Sequence, residues 1–299
     1  MDNFSYLVYI PSLNTKKRFI QLNNNKHISI VKFIQNKDVY LAEYLVSMIE
    51  DMCIDNINVK NLTGLDLLCI LLAIRNICIG TRLELTTDVN NEKSSLTLDL
   101  GDILKRVTDI KTKSTTIKID NIHVTIEIPR TLVIESYIDF ISKIKINKSV
   151  YDMRSLSKSD KHKIADLLPG KVVTSMYSKI GDLSSPITIV KGISTLPEMV
   201  IDVTTSSIFE FIKLIFDSNL SNFYTYYYLL ASKMHLDLSY IDNITPIETE
   251  IYINKYKEEM EIAQKSIESE SKSPAVGNIP APSPGSESSG SMVPGGFKF

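Results

Sequence analysis

The run TGLDLLCILLAIRNICIG, residues 63–80, decides the fold. It opens with Thr63 and Asp66 at capping-box spacing, a short carboxylate standing where Glu is usual. It closes on Gly80, a natural residue just past a helix C-terminus. Between them the chain is apolar on nearly every side, interrupted by Arg75. A helix without a polar face must be covered all round, so the run predicts a central buried helix with the other elements wrapped around it. It is too short to cross a bilayer, and it carries Asp66 and Arg75 inside its span.

Upstream, Leu41, Leu45, Met48, Ile49 and Met52 recur at helical spacing and predict an amphipathic helix over 38–54, with Asp38 as its cap. Before that, YLVYIPSL, KRFIQL and HISIVKFI are short apolar runs. With NNNK as a turn cluster, they predict strands over 4–34. Downstream, TRLELTTDV and SSLTLDL predict a hairpin with Asn90, Asn91, Glu92 and Lys93 at its tip. TTIKIDN and IHVTIEIP alternate in the same way, as half-buried strands do. Blocks of strand followed by blocks of helix argue for an α+β fold over a doubly wound sheet.

The chain then reads as helix over 132–144, from Ser157 to Pro169-Gly170, and over 172–180. Short strands follow at ITIVKG and LPEMVIDV. Residues 205–265 read as helices joined by short connections. Ile208, Phe211, Ile212, Ile215 and Phe216 form one stripe, and Leu220, Phe223, Tyr227, Leu230, Ala231 and Met234 form a second. Thr245-Pro246-Ile247-Glu248 opens a third helix with a cap, a proline at the first position and a glutamate three along. From Ser269 the composition turns to Ser, Pro and Gly, too poor in apolar groups to offset ordering entropy, which predicts a flexible tail. The expected organisation is an α+β lobe over 1–131, a mixed segment over 132–204, a helical module over 205–268 and the tail over 269–299.

Composition narrows the chemistry. With 43% hydrophobic residues the 299-residue chain can build a real core. Its formal net charge of −2 supplies no basic excess for a phosphate backbone, so no nucleic-acid partner is expected. The three cysteines, Cys53, Cys69 and Cys78, form no CxxC pair and read as reduced core residues of a cytosolic protein. The start of the chain lacks the charge and apolar pattern of a signal peptide, and no membrane partner is expected.

No nucleophile elbow, phosphate loop or metalloprotease motif occurs. His27, His123, His162 and His235 lie far apart without ligand spacing and read as surface or half-buried residues. No cofactor, metal or catalytic residue is implied. An enzyme would need a cleft gathering perturbed ionisable groups, and none is gathered in the sequence.

Three features invite a binding role. Arg75 and Asp66 are buried charges in an apolar helix, and Arg75 is expected to meet either an acid of this chain, such as Asp66 or a strand carboxylate, or a partner subunit. In the aromatic run from Phe223 to Tyr228, Phe223 and Tyr227 share the core face, and Tyr224 and Tyr228 share a flanking face that is read either as further core or as a protein contact. In the tail, Met292, Phe297 and Phe299 are candidate anchors on a leash.

The order of these pieces resembles the baseplate hub assembly proteins of T-even-type phages with contractile tails. The resemblance is carried by IPS…KRF, by Leu65-Asp66, Leu71, Arg75, Gly80 and Leu83–Leu85, and by TLDLGDI and IKIDNIHVTIEIPR. It is continued by YDMRSLSKSDKHKIADLLPGKVVTSM and by FEFIKLIFDSNLSNFYTYYYLLASKM. It covers roughly residues 5–262. It implies a non-enzymatic role in baseplate hub assembly in the host cytoplasm, through hub or tape-measure proteins. The alternative is a structural subunit resident in the tail baseplate. Some relatives carry cysteines in the hairpin after the arginine helix. TTDVNNEKSS has none, so no metal is carried over.

Overall fold

A computed structural model describes residues 4–89, 92–109, 114–195, 198–204 and 207–271. The chain forms two compact units, residues 1–254 and residues 255–299. The fold is α+β, and its centre is α3 (Gly64–Cys78). Thr63 Oγ1 accepts the Asp66 backbone N–H at 3.2 Å, and the Asp66 carboxylate accepts the Thr63 N–H at 2.8 Å, so the capping box closes as expected. Every residue from Gly64 to Arg75 is buried. At the far end Gly80 takes φ +130°, a conformation that L side chains rarely adopt.

Around α3 pack the hairpin of β1 (Ser5–Ile10) and β2 (Thr15–Ile20), then α1 (Asn24–Gln35) and α2 (Leu41–Met52). The hairpin of β3 (Arg82–Val89) and β4 (Glu92–Asp99), α4 (Leu100–Asp109) and α7 (Ile208–Phe216) complete this first core. Leu41, Leu45, Met48, Ile49 and Met52 all point inward from α2, as their spacing requires.

A second core lies under an antiparallel meander of β5 (Thr115–Ile119), β6 (Ile122–Ile126), β7 (Ile141–Ile146) and β8 (Ser149–Asp152). Ile117, Val124, Ile126, Ile141 and Ile144 meet Ala165 of α5 (Lys158–Ala165) and Val172 and Met176 of α6 (Gly170–Thr188). The outer face of the sheet carries Lys118, His123, Lys143 and Lys145. Strands β9 (Ile189–Thr195) and β10 (Glu198–Thr204) extend the β3–β4 hairpin into a sheet of order β10-β9-β4-β3. A small third cluster joins Leu230 of α8 (Leu220–Ser232), Ile241 of α9 (Leu238–Asn243) and Ile253 of α10 (Pro246–Ser271). Among the described residues no helix is long and apolar enough to cross a membrane.

Four sequence expectations are corrected. HISIVKFI is helical, not a strand: Asn23 caps α1 by accepting the Lys26 N–H at 3.0 Å, and His27, Ile30 and Val31 share its inner face. Residues 132–144 are not a helix. Ser136 and Asp139 spend their capping box on a short 3-10 turn, Tyr137–Phe140, and the alternating ISKIKI then pairs as β7. The stripe of α7 packs into the first core beside α3, not against α8 and α10, and the short α9 separates those two helices. Asp38 accepts the Tyr40 N–H at 2.9 Å, but α2 begins after Tyr40, so Asp38 sits just outside the cap position.

At the hairpin tip Val89 pairs with Glu92, while Asn90 and Asn91 lie outside the described residues. So does the tail from 272 onward, including Met292, Phe297 and Phe299.

Candidate interaction surface

Helix α8 has two unlike faces. Asn219 starts it by accepting the Ser221 N–H at 2.9 Å. On the inner side Phe223 is half-buried and meets the His27 ring edge-on, with centroids 4.9 Å apart and planes at 81°. Phe216 of α7 meets the same imidazole at 6.4 Å and 65°. Tyr227 donates to Asp242 Oδ1 at 2.8 Å, which ties α8 to α9. That bond and burial raise the Tyr227 phenol well above its ordinary range, burial being the larger cause. Leu230 closes the inner face. Leu220, Ala231 and Met234, the other members of the expected stripe, are only half-buried.

The flank of α8 is open. Tyr224 is 56% exposed and Tyr228 is 62% exposed, and their i, i+4 spacing sets the rings side by side along one face. Leu238, Ile247 and Ile251 on α9 and α10 are exposed as well. The helices behind this flank are held firmly. The Asn24 amide donates to Ile241 O at 2.8 Å and to Thr249 Oγ1 at 2.7 Å, and its backbone N–H donates to Ile244 O at 2.9 Å. Tyr240 and Tyr252 share a hydroxyl hydrogen bond of 3.0 Å. Thr245 and Glu248 form the cap of α10 as its sequence predicts, with the Thr245 N–H donating to the Glu248 carboxylate at 2.7 Å.

His27 corrects the expectation of surface or half-buried histidines. Only 2% of it is exposed, and neither ring nitrogen has a hydrogen-bond partner among the described residues. Burial first, and then the nearby Arg75 cation, push its pKa down to about 3, so the ring stays neutral near pH 7. A small cleft of about 220 Å³ opens beside it, with Asn222, Tyr226 and Glu250 in its wall. These groups offer hydrogen bonds. Among the described residues no acid is hydrogen-bonded to His27 to orient it as a base.

Arg75 is 5% exposed and has no carboxylate partner among the described residues. Its guanidinium donates to three carbonyls, Ile215 O at 2.9 Å, Arg82 O at 3.2 Å, and Gly80 O. Burial lowers its pKa to about 10, which leaves it charged at neutral pH. Asp66 is fully occupied at the other end of the helix, accepting from Ser12 N at 2.9 Å and from Thr63. Nine residues of helix separate the two groups by roughly 13 Å, too far for the ion pair the sequence suggested. Arg75 instead clamps the start of β3 to the end of α7.

Cys69 and Cys78 are buried and Cys53 half-buried, all as free thiols, and burial raises each pKa above the ordinary thiol value. Among the described residues no group of three or more His, Cys, Asp and Glu side chains is placed to hold a metal ion. Residue spacing did not point to His27, Asn24 or Asp242. The recurrence of His27, Ile30 and Val31 on one helical face was the available signal for the first.

No curated protein and no solved structure matches the chain. A family model, described as T4 bacteriophage base plate protein, matches residues 1–194, which include the first core up to α4, the meander and α6. With most of its length matched, the chain belongs to the T4 bacteriophage base plate protein family.

Proposed function

We propose that this protein is an assembly factor of the baseplate hub, working by binding a hub or tape-measure protein and shielding an aggregation-prone surface until the hub closes. The observation that carries this reading is the open flank of α8. Two adjacent tyrosines are offered to solvent by a helix whose other face is pinned through Phe223 to His27 and through Tyr227 to Asp242. A rigid platform presenting amphipathic rings loses little entropy on binding, which is how interface hot spots are built. The test is capture of tail proteins from infected-cell lysate by Tyr224→Ala/Tyr228→Ala beside the wild type. Capture reduced at least about tenfold with an unchanged melting temperature supports the reading. Undiminished capture removes α8 from it.

The family description favours a second reading, a structural subunit of the finished baseplate. Quantified mass spectrometry of purified particles and of lysate separates the two. Abundance in lysate with absence from particles supports an assembly factor. A stoichiometric signal in particles supports a resident subunit.

A further inference from the structure

Beside the meander the surface folds into a concavity of about 350 Å³. Cationic side chains from separate elements converge on it. Lys60 comes from the 3-10 turn Val59–Asn61, Arg130 from the loop after β6, Arg154 from the turn after β8, and Lys161 from α5. The acids in the wall are already engaged. Glu127 faces Arg154 at 3.5 Å, and Asp139 Oδ2 accepts the backbone N–H groups of Glu135 and Ser136 at 2.9 and 3.1 Å. Lys60, Arg130 and Lys161 make no ion pair among the described residues.

Arg130 is also anchored. Its neighbour Pro129 accepts the Gly64 N–H at 2.7 Å, and Thr131 O lies 2.6 Å from where a Cβ on Gly64 would stand. The backbone that carries Arg130 is therefore fixed at the groove, where an incoming carboxylate meets cations that have no acid of their own among the described residues.

A second concavity of about 370 Å³ adjoins the first and shares Lys60, Arg130 and Thr131. Its far wall is α2, with Glu43, Val46 and Glu50, over Leu67 and Leu132. The groove thus runs from basic to apolar and acidic. A nucleic-acid backbone, uniformly negative, would meet Glu43 and Glu50 at one end and would find no aromatic ring in the wall on which to stack a base. A polypeptide can match both ends.

We propose that this groove binds an acidic segment of a partner protein chain, its carboxylates held by Lys60, Arg130 and Lys161 and its following apolar residues lying against α2. The groove lies wholly within the family-matched residues. The inference depends on the assembly reading only in taking the partner for a tail protein. The assay below tests the groove alone, and capture through Tyr224 and Tyr228 tests the assembly reading alone.

The experiment is fluorescence anisotropy of a labelled peptide of three glutamates followed by Leu-Ala-Leu, titrated with the full chain at low salt beside a labelled oligothymidine of similar charge. The peptide is expected to bind and to weaken as salt rises. Arg130→Glu and Lys161→Glu are each expected to weaken it at least about tenfold. Lys163→Glu, on the same helix but paired with Asp160 outside the groove, should stay within about twofold. Circular dichroism confirms that each variant is folded, and two independent variants keep the test valid if one is not. No binding by the wild type overturns the proposal, and so does an equal loss in Lys163→Glu. Oligothymidine that binds as tightly as the peptide and responds to the same substitutions overturns it in favour of a nucleic-acid occupant.

Discussion

At the residue scale the molecule turns on buried polar groups that find no opposite charge. Arg75 solves this with backbone carbonyls, which is why a charge read from sequence as half of an ion pair acts as a clamp between β3 and α7. His27 solves it by staying neutral. Its folded pKa of about 3 lies below the unfolded value near 6.5, so the unfolded chain takes up this proton first as pH falls. The linkage sign follows. Stability associated with His27 is intact above about pH 6.5 and is lost progressively as pH drops towards 3. Between pH 7 and pH 5 the loss amounts to about 2 kcal/mol. Urea unfolding of the wild type and of His27→Leu at both pH values isolates this term from the carboxylates common to both proteins. The wild type is expected to lose about 2 kcal/mol more than the variant on acidification. Equal losses would mean that His27 already carries a proton in the folded state at pH 5.

At the element scale the most regular segments were legible and the most ambiguous were not. Helix α3 declared itself through a capping box, a continuous apolar run and a terminal glycine, α2 through its apolar stripe and α10 through its cap. HISIVKFI was misread because β-branched residues favour strands only weakly, and the Asn23 cap with an inward helical face outweighs that preference. ISKIKI was misread for the converse reason. Apolar residues upstream fall near helical spacing, but the pairing of β7 with β6 and β8 decides the outcome. Gly64 shows how an element reaches a site. Alanine there gains up to about 1 kcal/mol in helix propensity, yet its Cβ would press on the backbone oxygen of Thr131. Gly64→Ala is therefore expected to destabilise the fold by about 1–3 kcal/mol net, read by urea unfolding. It should also weaken binding of the acidic-apolar peptide, because Arg130 rides on the displaced loop. A neutral stability change with unaltered binding would show that the Pro129–Thr131 loop is not held by this close approach.

At the scale of the whole molecule, interaction surfaces are set on separate supports. The basic groove rests on the first core and the meander, inside the family-matched residues, and its cations are scattered from Lys60 to Lys161 with nothing in the sequence to join them. The tyrosine flank belongs to α8, beyond that match, and was readable because helical spacing separates Tyr224 and Tyr228 from Phe223 and Tyr227. The buried clusters all lie within residues 1–254, whereas Lys257 to Ser266 are exposed along α10. Removing residues 255–299 is therefore expected to leave the melting temperature within about 3 °C of the wild type, since a shift of that size corresponds to about 2 kcal/mol in a chain this long. Capture of tail proteins then assigns the anchors. If the shortened chain melts normally but captures less, and Phe297→Ala/Phe299→Ala in the full chain reproduces the loss, the terminal aromatics add a tethered contact whose effect comes through local concentration. If capture is unchanged in both, binding rests on the surfaces carried by residues 1–254. A melting temperature lowered by more than about 5 °C would instead show that residues 255–299 support the fold.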